Sequence, residues 1–89
     1  MKLIAAVLAL ASATAAASPM CPRLTPSDAH VLTRKQLEGR VCLYIKLTKQ
    51  MIEAEDANQS NACLTAAFVA EQLYQERFNR PSPCWQRAR

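Results

Sequence analysis

Residues 34–56 read RKQLEGRVCLYIKLTKQMIEAED, and the fold turns on how this stretch is wound. As a helix it places Leu37, Val41, Leu43, Tyr44, Ile45, Leu47, Met51 and Ile52 over more than half of its circumference, with Lys35, Lys46, Lys49 and Glu53 opposite. A helix lying on the surface of a small domain needs an apolar stripe only a little over about 100° wide. A broader arc has to be covered on two sides, so the pattern predicts a central helix between neighbours. Cys42 falls in the middle of the polar side. A disulfide from there requires another segment to cross the outside of this helix, and a chain terminus would serve.

Downstream, the spacing predicts a third helix over 60–79, with Ala66, Val69, Ala70, Leu73, Tyr74 and Phe78 on its core face and Cys63 near the centre of that face. The alanines permit close helix packing. Pro81 and Pro83 stop it, because proline lacks the N–H donor and clashes with the preceding turn. Upstream, Thr25-Pro26-Ser27-Asp28 has the form of a helix start, with Thr25 as N-cap, Pro26 in the first position and the Asp28 carboxylate reaching back. This predicts a first helix over 26–38, which Gly39 either ends or merely kinks. Gly39 is the single glycine, and no run alternates apolar with polar residues as a strand would. The expected fold is therefore all-α: a small disulfide-stapled bundle of about three helices, at 26–38, 40–56 and 60–79.

The N-terminal stretch has a different character. Lys2 is followed by an apolar run from Leu3 to Ala11 and a small-residue tail, Ser12 to Ala17. That is the pattern of a secretory signal peptide, too short to span a bilayer, which takes about 20 apolar residues. Cleavage is expected after Ala17, with Ala15 as the alternative, leaving 18–89 as a single helical cysteine-rich domain. Because Lys2 lies in the leader, the formal net charge of +4 falls to about +3 in the remainder. The basic residues alternate with acidic ones and form no nucleic-acid footprint.

All four cysteines, Cys21, Cys42, Cys63 and Cys84, lie beyond the leader. An even number in a short exported chain reads as a disulfide framework. No Cys-x-x-Cys is present and His30 is the only histidine, a poor basis for a zinc site. The even spacing of the cysteines is not accompanied by repeated sequence. In an antiparallel hairpin of helices two and three, Cys84 returns to the level of Cys42, while Cys63 stays near the turn, about 20 Å away at the helical rise per residue. A Cys42–Cys63 bridge would exceed disulfide reach. Geometry thus favours Cys42–Cys84 with Cys21–Cys63, over the less favoured Cys21–Cys42 with Cys63–Cys84.

Few residues suggest chemistry. Asp56-Ala57-Asn58-Gln59-Ser60-Asn61 resembles the first half of an EF-hand loop, but its twelfth position is Ala67, not a bidentate glutamate. A polar helix–helix turn with Ser60 capping the third helix is the simpler reading; Glu53, Glu55, Asp56 and Asn58 remain weak calcium candidates. Asn58-Gln59-Ser60 is also an N-glycosylation sequon, which makes Asn58 a glycosylation candidate. No catalytic residue is assigned: His30 lacks a partner on its face of the helix, and neither a nucleophile elbow nor a phosphate-cradling loop occurs. No cofactor is implied.

The binding candidates are Leu64 and Phe68, one turn apart and off the main core face, and the tail with Trp85 and Arg87. The first helix is expected to cover Leu64 and Phe68; uncovered, they form an apolar patch suited to a partner or lipid. Trp85 is expected to pack over the end of the bundle beside a Cys42–Cys84 bridge while the arginines stay solvated.

The layout of signal peptide, one helical domain and cysteines at 21, 42, 63 and 84 resembles small secreted cysteine-rich proteins of the fungal effector type. Within that class it is most similar to helical, saposin-like fungal calcium-binding proteins. The resemblance is one of layout and carries over no functional residue. It implies an extracellular, non-enzymatic interaction protein with an unknown protein partner. The alternatives are a saposin-like protein acting on an anionic membrane surface and a weak calcium-binding protein.

Overall fold

The computed structural model describes residues 20–88; the expected leader, 1–17, and its cleavage site lie outside the described residues. Four helices follow in order: α1 (Pro26–Val31), α2 (Arg34–Glu53), α3 (Ala57–Phe78) and α4 (Pro83–Ala88). No strand occurs among the described residues. The chain is an all-α bundle stapled by two disulfides, Cys21–Cys63 and Cys42–Cys84.

Helix α1 starts as its sequence indicates. The Asp28 N–H donates to Thr25 Oγ1 and the Thr25 N–H donates to Asp28 Oδ2, both at 3.1 Å. It ends earlier than expected. Leu32 is extended (φ −81°, ψ 145°), and a second capping box opens a new helix at once. In it the Thr33 N–H donates to Gln36 Oε1 at 2.8 Å and the Gln36 N–H to Thr33 Oγ1 at 3.1 Å. The Thr-x-x-Gln spacing therefore divides the expected 26–38 helix, and Gly39 is an ordinary interior residue of α2.

The chain leaves α2 through Ala54 and Glu55, the latter left-handed at φ 57°. Helix α3 begins three residues before the expected boundary because Asp56, not Ser60, is its N-cap: Asp56 Oδ1 accepts from the Gln59 N–H at 3.0 Å. The Ser60 hydroxyl instead donates to the Ala57 carbonyl within the first turn, also at 3.0 Å. At the other end Asn79, left-handed at φ 61°, closes α3. Asparagine is one of the few residues that adopt this conformation readily.

Helices α2 and α3 form an antiparallel hairpin. The core runs along their seam, with Leu37, Val41 and Tyr44 from α2 meeting Cys63, Ala66, Ala67, Ala70 and Tyr74 from α3. Four of these are 0% exposed small residues of α3, so its backbone approaches α2 closely. The broad apolar arc of α2 is only partly covered: Leu43 and Ile52 remain 45% and 61% exposed. The segment before α1 lies against the hairpin near its turn, with Cys21 and Leu24 buried. The Tyr44 hydroxyl donates to the Pro22 carbonyl at 2.6 Å, and the Met20 N–H to Gln59 Oε1 at 3.1 Å. Helix α1 docks at the far end of α3, where Arg77 donates to the Ala29 and Leu32 carbonyls. Those are the carbonyls that the end of a short helix leaves without partners.

Candidate functional site

The C-terminal helix was not foreseen in the sequence, and it organises the surface that gathers the binding candidates. Its anchor is a buried acid. Glu71, 2% exposed within the core face of α3, accepts from the Ser82 N–H at 3.0 Å, from the Ser82 hydroxyl at 2.5 Å and from Gln75 Nε2 at 2.8 Å. Ser82 is itself 0% exposed. It turns the chain into α4: its hydroxyl accepts from the Trp85 N–H at 3.4 Å, and its carbonyl accepts from the Gln86 N–H at 3.1 Å. Pro83 fits at the start of α4, where an N–H would have no intrahelical partner. A carboxylate this deep is tolerable only because its oxygens are fully engaged.

From that anchor α4 crosses the outside of α2, and Cys84 meets Cys42 with their Cα atoms 5.4 Å apart. This is the crossing that a cysteine on the polar side of α2 demanded. Trp85 is half-buried against the core and meets Phe68 edge to face, with ring centroids 5.0 Å apart and planes at 69°. Leu64 is 44% and Phe68 53% exposed. The expected cover from α1 is absent, because α1 is held at the Arg77 end of α3, well beyond these two side chains. Trp85 shields the Phe68 ring on one side. Beside it lies an apolar cleft of about 230 Å³ lined by Ile45, Thr48, Lys49, Leu64, Ala67, Trp85 and Ala88.

A second, more polar groove of about 390 Å³ adjoins the cleft on the other side of α4. Cys42 and Cys84 line it together with Lys46, Lys49, Gln50, Glu53 and Arg87. Arg87, exposed, donates through Nη2 to Cys84 Sγ at 3.1 Å. The structure thus brings Leu64, Phe68 and Trp85 together along the hairpin beside α4, with Arg87 lining the neighbouring groove.

The calcium candidates are not assembled in this way. Glu53 and Asn58 are exposed, and the Asp56 carboxylate is engaged as the α3 cap. Among the described residues no group of three His, Cys, Asp or Glu side chains is placed to hold a metal ion. Asn58 projects from the first turn of α3, where the sequon is helical and exposed. His30 is exposed on α1.

Among the described residues two groups have shifted proton affinities, both tied to the fold. The backbone and hydroxyl hydrogen bonds of Thr25 stabilise the Asp28 carboxylate and hold its pKa below the usual range. Burial raises the pKa of the Tyr74 hydroxyl, reinforced by its 2.5 Å hydrogen bond to Glu38 Oε2. Glu71 and Ser82 are the residues that sequence reasoning passed over. Their signals were a lone acid between Ala70 and Tyr74 on an otherwise apolar face, and a Ser-Pro pair of the kind that opens helices.

Among the described residues no helix is long and apolar enough to cross a membrane. Compared with known proteins, the chain matches no family model, no curated protein and no solved structure.

Proposed function

We propose that this chain is a small secreted, disulfide-stabilised, non-enzymatic interaction protein of the effector type, acting outside the cell on a protein partner. The signal-peptide pattern of residues 1–17 and the absence of a free cysteine support export into an oxidising compartment. The observation that carries the reading is the exposed Leu64–Phe68 pair set against Trp85, beside an apolar cleft and on a helix fixed by a disulfide. Aromatic anchors next to arginine, on a rigid support, are what protein interfaces concentrate their binding energy in. Rigidity matters because an already ordered surface loses little entropy on binding.

The test is capture from the extracellular fluid that the protein meets, using the oxidised chain and a Phe68→Ser variant as baits. A partner retained by the first and lost by the second, with unchanged melting of the variant, supports the reading. Retention by both moves the interface elsewhere.

The second reading is a membrane-active protein. It rests on Lys46, Lys49 and Arg87, which line the groove next to the apolar cleft and make no ion pair among the described residues. Apolar contact plus basic charge is the combination that binds anionic lipid surfaces. Co-sedimentation with anionic vesicles that weakens with salt, and no binding to zwitterionic vesicles, would favour it.

A further inference from the structure

We propose that the groove between α2 and α4 is a thiol–disulfide exchange site: a small anionic thiol enters it, attacks Cys42 of the Cys42–Cys84 bridge and releases α4. The inference does not depend on the partner reading above.

Three observations carry it. The first is unequal access. Cys42 and Cys84 are partly exposed and both line the groove, whereas Cys21 and Cys63 are 2% and 0% exposed. The second is charge. Lys46, Lys49 and Arg87 face Glu53 as the one carboxylate lining the groove. Such a surplus concentrates an anionic reagent and speeds its arrival. The third is the contact of Arg87 Nη2 with Cys84 Sγ at 3.1 Å. In the intact bridge this is a weak hydrogen bond. Once the bond opens it becomes a charge-assisted contact to a thiolate, which makes Cys84 the better leaving sulfur.

The chemistry follows in two exchanges. The thiolate of the reagent attacks Cys42 Sγ, a new sulfur–sulfur bond forms there, and the Cys42–Cys84 bond breaks with its electron pair passing to Cys84. Arg87 holds the resulting thiolate. A second molecule of the thiol then attacks the mixed disulfide on Cys42, leaving as the oxidised dimer of the reagent and freeing Cys42 as a thiolate. Overall the protein bridge is reduced by two electrons and two thiol molecules are oxidised to one disulfide. Helix α4 has only six residues, too few to be stable without tertiary support. Loss of the bridge leaves it held by the Ser82–Glu71 contacts and by Trp85, and its release uncovers Ile45, Leu64 and Phe68.

The experiment treats the oxidised full chain with reduced glutathione, which is anionic, or with cysteamine, which is cationic, at equal thiolate concentration. Samples are quenched over time with N-ethylmaleimide and mapped by peptide mass spectrometry, while the fluorescence of Trp85, the only tryptophan, is followed. The site predicts that Cys42 and Cys84 react at least about tenfold faster than Cys21 and Cys63. It further predicts that the glutathione adduct lies on Cys42 and that Trp85 emission shifts with opening. Glutathione should outpace cysteamine, by a margin that shrinks at high salt and in Arg87→Gln, a substitution at an exposed position. Equal rates at the two bridges, an adduct on Cys84, no advantage for glutathione, or an Arg87→Gln variant with unchanged kinetics would overturn it.

Discussion

The two disulfides close loops of the same length, 42 residues, yet sit in opposite surroundings. Equal loops restrict the unfolded chain equally, by about 4 kcal/mol each on the chain-entropy view. Whatever distinguishes the bridges must come from the folded side. Cys21–Cys63 lies in the core, beside a tyrosine hydrogen bond that ties down the segment before α1. Cys42–Cys84 lies at a groove and fixes a six-residue helix to the polar side of α2. One bridge is part of the interior; the other holds a surface element in place.

The largest expected effect tests that contrast directly. Replacing Cys21 and Cys63 together by serine removes the loop constraint and also puts two hydroxyls into an apolar site. The loss should exceed about 4 kcal/mol and cost the cooperative transition in urea. Replacing Cys42 and Cys84 by serine should cost less than that figure. The released α4 regains freedom in the folded state and offsets part of the loss, while the α2–α3 core survives. Equal losses in the two double variants would break the comparison.

Glu71 sharpens it. Glu71→Ala strips three hydrogen bonds from a buried cluster and leaves the Ser82 N–H and the Ser82 hydroxyl proton without an acceptor. A loss of about 3 kcal/mol is expected, with Trp85 fluorescence moving toward that of an exposed indole. Combined with the Cys42/Cys84 double variant, its effect should be less than additive, because both act through the docking of α4. Strict additivity would mean that Glu71 serves the core rather than the tail.

Acid acts elsewhere, on α1. The folded pKa of Asp28 is depressed by its bonds to Thr25, so its carboxylate favours folding above its ordinary value and that contribution is lost as pH falls through the lowered folded value. Amide exchange measured below about pH 4 should loosen in α1 before α4. Loosening of both helices together would show that α1 and α4 are not independent.

How much of this was legible follows from which interactions are local. The width of the apolar arc around Tyr44, the capping box at Thr25 and the helical rise between Cys42 and Cys63 gave the helical class, one true boundary and the pairing of the cysteines. Each depends on spacing along one helix or on the reach of a disulfide. The break at Leu32 was equally local, written in Thr33 and Gln36, but the apolar pattern running through it masked the signal. Helix α4 was not legible, because six residues starting at proline have little propensity of their own. What forms it is Glu71, eleven positions before Ser82, together with a bridge to α2. The exposure of Leu64 and Phe68 escaped for the same reason: it depends on where α1 docks, and Arg77, 48 positions from Ala29, sets that.

Gly39 offers the smallest effect and the cleanest control. It lies inside α2 without a positive φ, exposed, with no atom within 4 Å of where a Cβ would stand. Alanine there restricts the unfolded chain and meets nothing in the folded one, so Gly39→Ala should stabilise by about 0.5–1 kcal/mol in urea unfolding. It lies one turn before Cys42 but touches neither α4 nor the groove. If the two bridges are distinct, global stability rises while the rate at which glutathione opens Cys42–Cys84 stays the same. Release of α4 is then a local event that does not draw on unfolding of the bundle. A matching fall in that rate would mean that the bridge opens only when α2 does, and the distinction between an interior disulfide and a surface one would dissolve.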